Sequence, residues 1–252
     1  DVPLVDRDGT PAVDLDGLER ALADGARAVL LCHPHNPVGV VHPPETLRRI
    51  AELAREHGAT VVSDEIHGPL THEGRTFTPF LHASPTAAEV GYAVTSASKT
   101  YNLAGLKCAV MIAGGKAQAK VLRSLPAEVE WRTGLFGALA NVAAYSAESD
   151  AWLDSLLAAL AQNRRLLADL LNEHLPESRF LVPDAGFLAW VDVSAYGWGE
   201  NPATRIRREA RVALHHGPLF GEEGIGHVRI NFGCSPELLS EAVRRVGALV
   251  GS

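Results

Sequence analysis

Thr95-Ser96-Ala97-Ser98-Lys99-Thr100-Tyr101-Asn102-Leu103-Ala104-Gly105-Leu106-Lys107 leads out of an apolar stretch that contains Tyr92 and Val94. The run sets one lysine beside two serines, and a second cation follows eight residues later, across Gly105. A site that holds an aldehyde and a dianionic phosphate needs this combination. One amine forms a Schiff base, while hydroxyls and a cation grip the phosphate. A loop with an ordinary solvated lysine would also fit, and the run alone does not decide between them.

Two motifs upstream shift that balance. Cys32-His-Pro-His-Asn-Pro-Val-Gly39 follows the apolar run Ala28-Val-Leu-Leu31, and its Asn36-Pro37 with Gly39 is a turn signal. By itself it is a simple strand-to-helix corner. Thr60-Val-Val-Ser-Asp64-Glu65-Ile66-His67 is a β-branched strand that ends in two carboxylates and a histidine, which alone would serve to cap a helix. Asn36 precedes Asp64 by 28 residues and Asp64 precedes Lys99 by 35. Each follows an apolar strand, so all three are expected at one edge of a parallel sheet, where ligand sites of α/β folds lie.

Together these motifs resemble the fold-type I, pyridoxal phosphate (PLP)-dependent enzymes of the class I/II aminotransferase superfamily. More narrowly they resemble the cystathionine β-lyase (MalY/PatB-like) branch. The narrower likeness is carried by Asp64-Glu-Ile-His67, by Ser98-Lys-Thr-Tyr-Asn-Leu-Ala-Gly-Leu-Lys107 and by Gly226-His-Val-Arg-Ile-Asn-Phe-Gly233. It runs from about residue 10 to the C-terminus; Pro69 departs from it, where that branch often has an acidic residue. The resemblance implies an α/β large domain over residues 1–150, N-terminally incomplete, with a mixed, mostly parallel sheet. It further implies a long linking helix and a small C-terminal α+β domain over 151–252. Residue 1 is aspartate and the only methionine is Met111. The expectation is a fragment or a truncated product lacking about a third of a typical member. That third would carry a glycine-containing phosphate loop, the aromatic residue stacked on the pyridine ring and a tyrosine reaching the neighbouring subunit.

The resemblance also assigns roles. Lys99 forms the Schiff base and serves as general base on the substrate Cα proton. Asp64 pairs with the pyridine nitrogen and keeps it protonated, which makes the ring an electron sink. Asn36 donates to the cofactor's phenolate oxygen. Ser96 is the phosphate hydroxyl, Ser98 a second hydroxyl that local backbone can also claim, and Lys107 the phosphate cation in place of an arginine. Arg229 clamps the substrate α-carboxylate. His67 lies near the phenolate or substrate, or only orders the loop after Asp64. Tyr101, Asn102 and Gly105 shape the turn, and Trp131, Arg132 and the other tryptophans belong to core or interface.

With 252 residues, 46% of them hydrophobic, the chain can bury a large core. A net charge of −7 without a basic cluster argues against nucleic acid. Apolar runs are of strand length, so no membrane span is expected, and no secretory signal opens the chain. Three scattered cysteines read as reduced, buried thiols of a cytoplasmic protein. Among the 11 histidines, His33/His35 and His215/His216 lack zinc-like spacing, so no metal is expected.

The pattern predicts helices over 14–24 and from Pro43 to Gly58, and strands over 28–32, 60–63, 91–95 and 108–113. Between them lies a polar loop, 70–85. The sheet should be covered on both faces. Then come a helix over 151–175, strands 180–182, 187–193 and 228–232, and a closing helix over 237–250. The leading functional expectation is a PLP-dependent carbon–sulfur β-lyase that cleaves cystathionine or a related cysteine S-conjugate to thiol, pyruvate and ammonia. It would act on a small amino-acid substrate as a homodimer. An aminotransferase using the same residues is the runner-up, and an impaired remnant or regulatory protein the third possibility.

Overall fold

The structure is a computed structural model and describes residues 1–251. The chain divides into two compact units, one of residues 1–35 and 40–154, the other of 36–39 and 155–252.

The first unit opens with an antiparallel hairpin, β1 (Leu4–Arg7) and β2 (Thr10–Val13), turned at Gly9, whose φ is +80°. Helix α1 (Leu15–Ala23) and strand β3 (Ala28–Cys32) follow. Then come α2 (Pro44–Glu56), β4 (Thr60–Asp64), α3 (Pro85–Val90) and β5 (Gly91–Thr95). After the short α4 (Ala97–Thr100), β6 (Val110–Ala113) returns antiparallel to β5. Helices α5 (Lys116–Arg123), α6 (Glu128–Trp131) and α7 (Leu135–Ala144) complete the unit. The sheet order is β3-β4-β5-β6, with the first three strands parallel. This is the mixed, mostly parallel sheet of the expectation.

Its coverage differs from the expectation. Leu31 and Val61 pack with α1, α2 and Ala87 of α3 into one core. Leu30, one residue along β3, is 81% exposed, while Leu31 is 6% exposed. The reason is topological. The steps β3→β4 and β4→β5 advance in the same direction across the sheet, and right-handed crossovers then place both connecting helices on the same side. The 70–85 segment is also more ordered than a polar loop: a 3-10 turn at Phe80–His82 buries Phe80 completely.

Helix α8 (Asp150–His174) begins in the first unit and runs into the second. There, β7 (Arg179–Phe180), β8 (Leu188–Asp192), α9 (Pro202–Glu209), β9 (His215–His216), β10 (His227–Asn231) and α10 (Pro236–Gly247) follow. The strands form an antiparallel sheet in the order β7-β8-β10-β9. Ala189, Val191, Val228 and Ile230 are buried on one face, and Arg229 sits between Val228 and Ile230, half-buried, on the other. Buried Asn163 of α8 donates through Nδ2 to the carbonyls of Phe232 (2.9 Å) and Cys234 (2.7 Å), which fastens the chain just beyond β10.

Three smaller expectations are corrected. The cysteines form no disulfide among the described residues and are half-buried, because Cys32 ends β3 and Cys108 and Cys234 lie in irregular chain outside the strands. Trp131 is 77% exposed at the end of the one-turn α6, which removes the core half of its expectation and leaves the interface half. Trp152, among the tryptophans expected in core or interface, is 47% exposed and stacks on Tyr101 with ring centroids 5.4 Å apart.

Candidate active site

Strand β4 ends at Asp64, opposite Val94 in the parallel register with β5. The next residues of β5 are Thr95 and then Ser96, where α4 begins. Asp64 and the Ser96–Lys99 turn therefore leave the same edge of the sheet, at the carboxyl ends of adjacent parallel strands. Asp64 Oδ1 accepts the Ile66 N–H (3.2 Å), and its second oxygen carries the remaining acceptor capacity of a half-buried carboxylate.

The turn holding Lys99 is pinned twice. Ser96 is buried in the N-cap position, and its Oγ accepts the Ser98 N–H (3.1 Å). Ser96 Oγ also lies 2.6 Å from the Cys108 carbonyl and 2.7 Å from Ser98 Oγ. A carbonyl only accepts, so the Ser96 proton goes to Cys108 in this arrangement. The second pin is Asn141 of α7, 8% exposed, whose Oδ1 accepts the Ala97 N–H (3.0 Å). Lys99 itself is exposed. Its Cα is held by these bonds while its flexible stem carries the amine outward. Lys107 is exposed too and adopts a left-handed backbone (φ 55°, ψ 50°), uncommon for a residue with a Cβ. Around the turn, Tyr101 meets Tyr145 edge-on at 5.9 Å, and Tyr145 Oη lies 3.3 Å from Thr95 Oγ1.

His67 is 5% exposed at the head of the 3-10 turn Gly68–Leu70, where its carbonyl accepts the Leu70 N–H (3.0 Å). That bond is made by its main chain and belongs to the turn after Asp64. Glu65, not singled out from sequence, is 6% exposed and accepts from Ser63 Oγ (2.9 Å) and the Phe80 N–H (2.7 Å). Burial raises its pKa, and these two donors oppose the rise.

In the second unit, Arg229 Nη1 donates to Asn36 Oδ1 (2.9 Å). This bond fixes which end of the Asn36 amide is oxygen, so Nδ2 is its donor side. The guanidinium lies over the Phe220 ring, 4.8 Å from its centroid, and burial lowers its pKa. Arg229 Nε is buried with no hydrogen-bond partner among the described residues.

The donor set of the first unit can be tested against PLP. It offers an amine, a second ammonium, two hydroxyls on one turn and a carboxylate at the same sheet edge. These are the charges and donors that an aldehyde, a phosphate dianion and a pyridinium require, so the residues fit the group.

A model of the aminotransferase class I and II family matches residues 3–246. The chain belongs to that family. Aminotransferase class I and II relatives include a putative cystathionine β-lyase of Mycobacterium leprae (strain TN), 42% identical over 262 residues, covering 96% of this chain and 64% of that protein. Cystathionine β-lyase PatB of Bacillus subtilis (strain 168) is 37% identical over 249 residues, covering 98% and 64%. Among solved structures, a putative PLP-dependent β-cystathionase from Corynebacterium diphtheriae superposes with a TM-score of 0.91 at 34% identity, covering 96% of this chain and 63% of that one. The chain shares the fold-type I architecture, and it spans about 64% of the length of the curated relatives it matches.

Proposed function

We propose that the chain carries the PLP-holding residues of a carbon–sulfur β-lyase acting on cystathionine or a related cysteine S-conjugate. The observation that supports this reading most is the placement of Asp64 and the Ser96–Lys99 turn at one sheet edge, in register on β4 and β5. The relatives named cystathionine β-lyase, at 42% and 37% identity, favour lyase over aminotransferase chemistry.

PLP, when bound, supplies the electron sink that makes a substrate Cα proton acidic. In this reading Lys99 Nζ would hold the aldehyde group and would also take up the substrate Cα proton. Departure of the thiolate from Cβ completes the elimination. The Asp64 carboxylate raises the pKa of the pyridine nitrogen and so keeps it protonated. Ser96 Oγ, Ser98 Oγ and Lys107 Nζ bind phosphate; for this the Ser96 proton must leave the Cys108 carbonyl. Asn36 Nδ2 donates to the phenolate oxygen, and the Arg229 fork orients the substrate carboxylate. His67 stands as a positioning residue for the loop after Asp64. Residues 151–252 serve as linking helix and small domain beside a large domain of 1–150. A cytoplasmic homodimer is the setting we assign to the activity, without metal, nucleic acid or membrane.

The test is the absorbance spectrum of the purified chain with added PLP, beside Lys99→Ala. A Schiff-base band that borohydride traps on Lys99 is the expected result, with thiol and pyruvate then released from cystathionine. No band, or a band equally strong in Lys99→Ala, overturns the cofactor assignment. Amino-group transfer to a 2-oxo acid without thiol release replaces the lyase reading with the aminotransferase one.

A further inference from the structure

Between β3 and α2 the first unit buries three imidazoles. His33 is 0% exposed and His42 2%, while His35 is half-buried. His33 and His42 stack with centroids 5.5 Å apart and planes 21° apart, and His35 meets His42 edge-on at 6.0 Å. Phe77 closes the outer face of His33 at 4.8 Å.

The hydrogen bonds fix the protonation state. His33 Nε2 lies 2.9 Å from the Thr78 carbonyl, which only accepts, so Nε2 carries the proton and donates. Its Nδ1 is buried with no partner among the described residues. His42 likewise hydrogen-bonds the Cys32 backbone, and its Nε2 is buried without a partner. His35 Nδ1 is a third buried nitrogen of this kind. His33 and His42 thus each make one ring hydrogen bond to the backbone and keep one bare buried nitrogen, the pattern of a neutral imidazole. A second proton on any of them would point an N–H at nothing and set a charge against the other rings in a dry interior.

Among the described residues only backbone hydrogen bonds, at Thr78 for His33 and Cys32 for His42, favour such a charge, and burial outweighs them. The titratable groups acting on His42 are His33 and His35, and both oppose its protonation. Cys32 turns its thiol to the Pro34 carbonyl (3.5 Å). Asp64 meets the cluster through its main-chain oxygen, which accepts the His33 N–H (2.9 Å). No carboxylate side chain among the described residues contributes to the titration of the three rings. Burial accordingly pushes His42 down to about 3 and His35 to about 4, and lowers His33.

The cluster stands at the base of a loop. The His35 N–H donates to the Val40 carbonyl (2.8 Å), closing a ring of chain whose interior residues are Asn36 to Gly39. We propose that His33, His35 and His42 are positioning residues: an uncharged imidazole stack that clasps the loop presenting Asn36 and releases it when the stack takes up a proton. The importance of this clasp for catalysis rests on the role proposed above for Asn36. The clasp itself does not.

Amide hydrogen exchange of the cofactor-free chain, followed at His35 between pH 6.5 and 4 and corrected for intrinsic rates, tests it. His35 protection is expected to fall as pH drops, by up to tenfold per pH unit for each proton taken up on opening. With His42→Leu, which cannot titrate, the slope should shrink by about one proton. His42→Gln gives the same comparison if the leucine variant does not fold. Protection that is independent of pH, or an unchanged slope in both variants, overturns the proposal. So does direct NMR titration of the native chain showing His42 protonating at the ordinary histidine value of 6.5. Since no cofactor is present, these outcomes are separate from those of the PLP test. A chain without the Schiff-base band can still show the clasp, and a chain with the band can lack it.

Discussion

Lys99 owes its position to groups that take no part in bond making. Ser96 caps its turn from within, and Asn141, 44 residues away in sequence, holds the Ala97 N–H from α7. Asn141→Ala leaves that buried N–H without an acceptor, at a cost of about 1–3 kcal/mol. We expect urea unfolding of the variant to show that loss, and PLP affinity to weaken with it although Asn141 has no assigned contact with the cofactor. A variant with unchanged stability would mean that Ala97 finds another acceptor. Leu47, completely buried in α2, sets the scale for an apolar deletion: Leu47→Ala should cost about 2–5 kcal/mol in the same measurement. Lys99 and Asp64 were legible in the sequence because each follows a strand-like run that fixes where it emerges. Asn141, Glu65 and Asn163 were not, since each acts on a backbone group distant along the chain. The available hint was a polar residue within an apolar helical stretch or strand end, and that pattern does not name its partner.

Among the elements, those with strong period and punctuation were readable. α2 has Pro44 at its start, apolar residues at Leu47, Ile50, Ala51 and Ala54, and left-handed Gly58 after its end; its bounds fall within the predicted span. β5 was placed at its observed bounds. α7 escaped because Leu135–Ala144 is apolar nearly all round, and α3 because its six residues fill the short gap between the loop predicted to 85 and the strand predicted from 91. That short helix depends on its cap: Ser84 Oγ accepts the Ala87 N–H (3.0 Å), and Ser84→Ala should cost about 1 kcal/mol in urea unfolding. The His33–His42 segment gives a pH prediction at the same scale. An unfolded imidazole binds its proton near 6.5, whereas folded His42 and His35 resist until about 3 and about 4. The unfolded state therefore takes up protons first as pH falls. Stability is full above pH 6.5 and declines below it, by about 1.4 kcal/mol per pH unit for each imidazole kept neutral. Urea midpoints measured from pH 7 to 4 should fall accordingly, and His42→Leu should flatten the decline. An equal decline in the variant would assign the acid sensitivity to other groups.

For the molecule as a whole, the question is how much apolar surface the two units leave in water. In the first unit the crossover rule puts α2 and α3 on one side of the parallel strands, and Leu30 emerges on the other at 81% exposure. Helix α7 adds Leu135, Phe136, Leu139 and Val142, from 57% to 77% exposed, and β6 adds Val110, Met111 and Ile112 at about the 42% level. Isolated exposed leucines need no explanation, but four large apolar side chains on one ten-residue helix form a patch of the kind that associates. Parallel strands are ordinarily buried on both faces, so the exposed side of β3 has the same tendency. The purified chain is therefore expected to bind a hydrophobic dye such as ANS and to elute earlier from a sizing column as its concentration rises. Replacing Phe136 and Leu139 by serine removes the centre of the α7 patch without touching Lys99, Asp64 or Asn141. That variant should bind less dye and elute at a position that changes less with concentration, with its unfolding midpoint nearly unchanged because exposed side chains contribute little to the folded state. If dye binding and elution stay as in the native chain, the association arises at another surface, and the bare side of β3 becomes the next to alter, through Leu30→Ser.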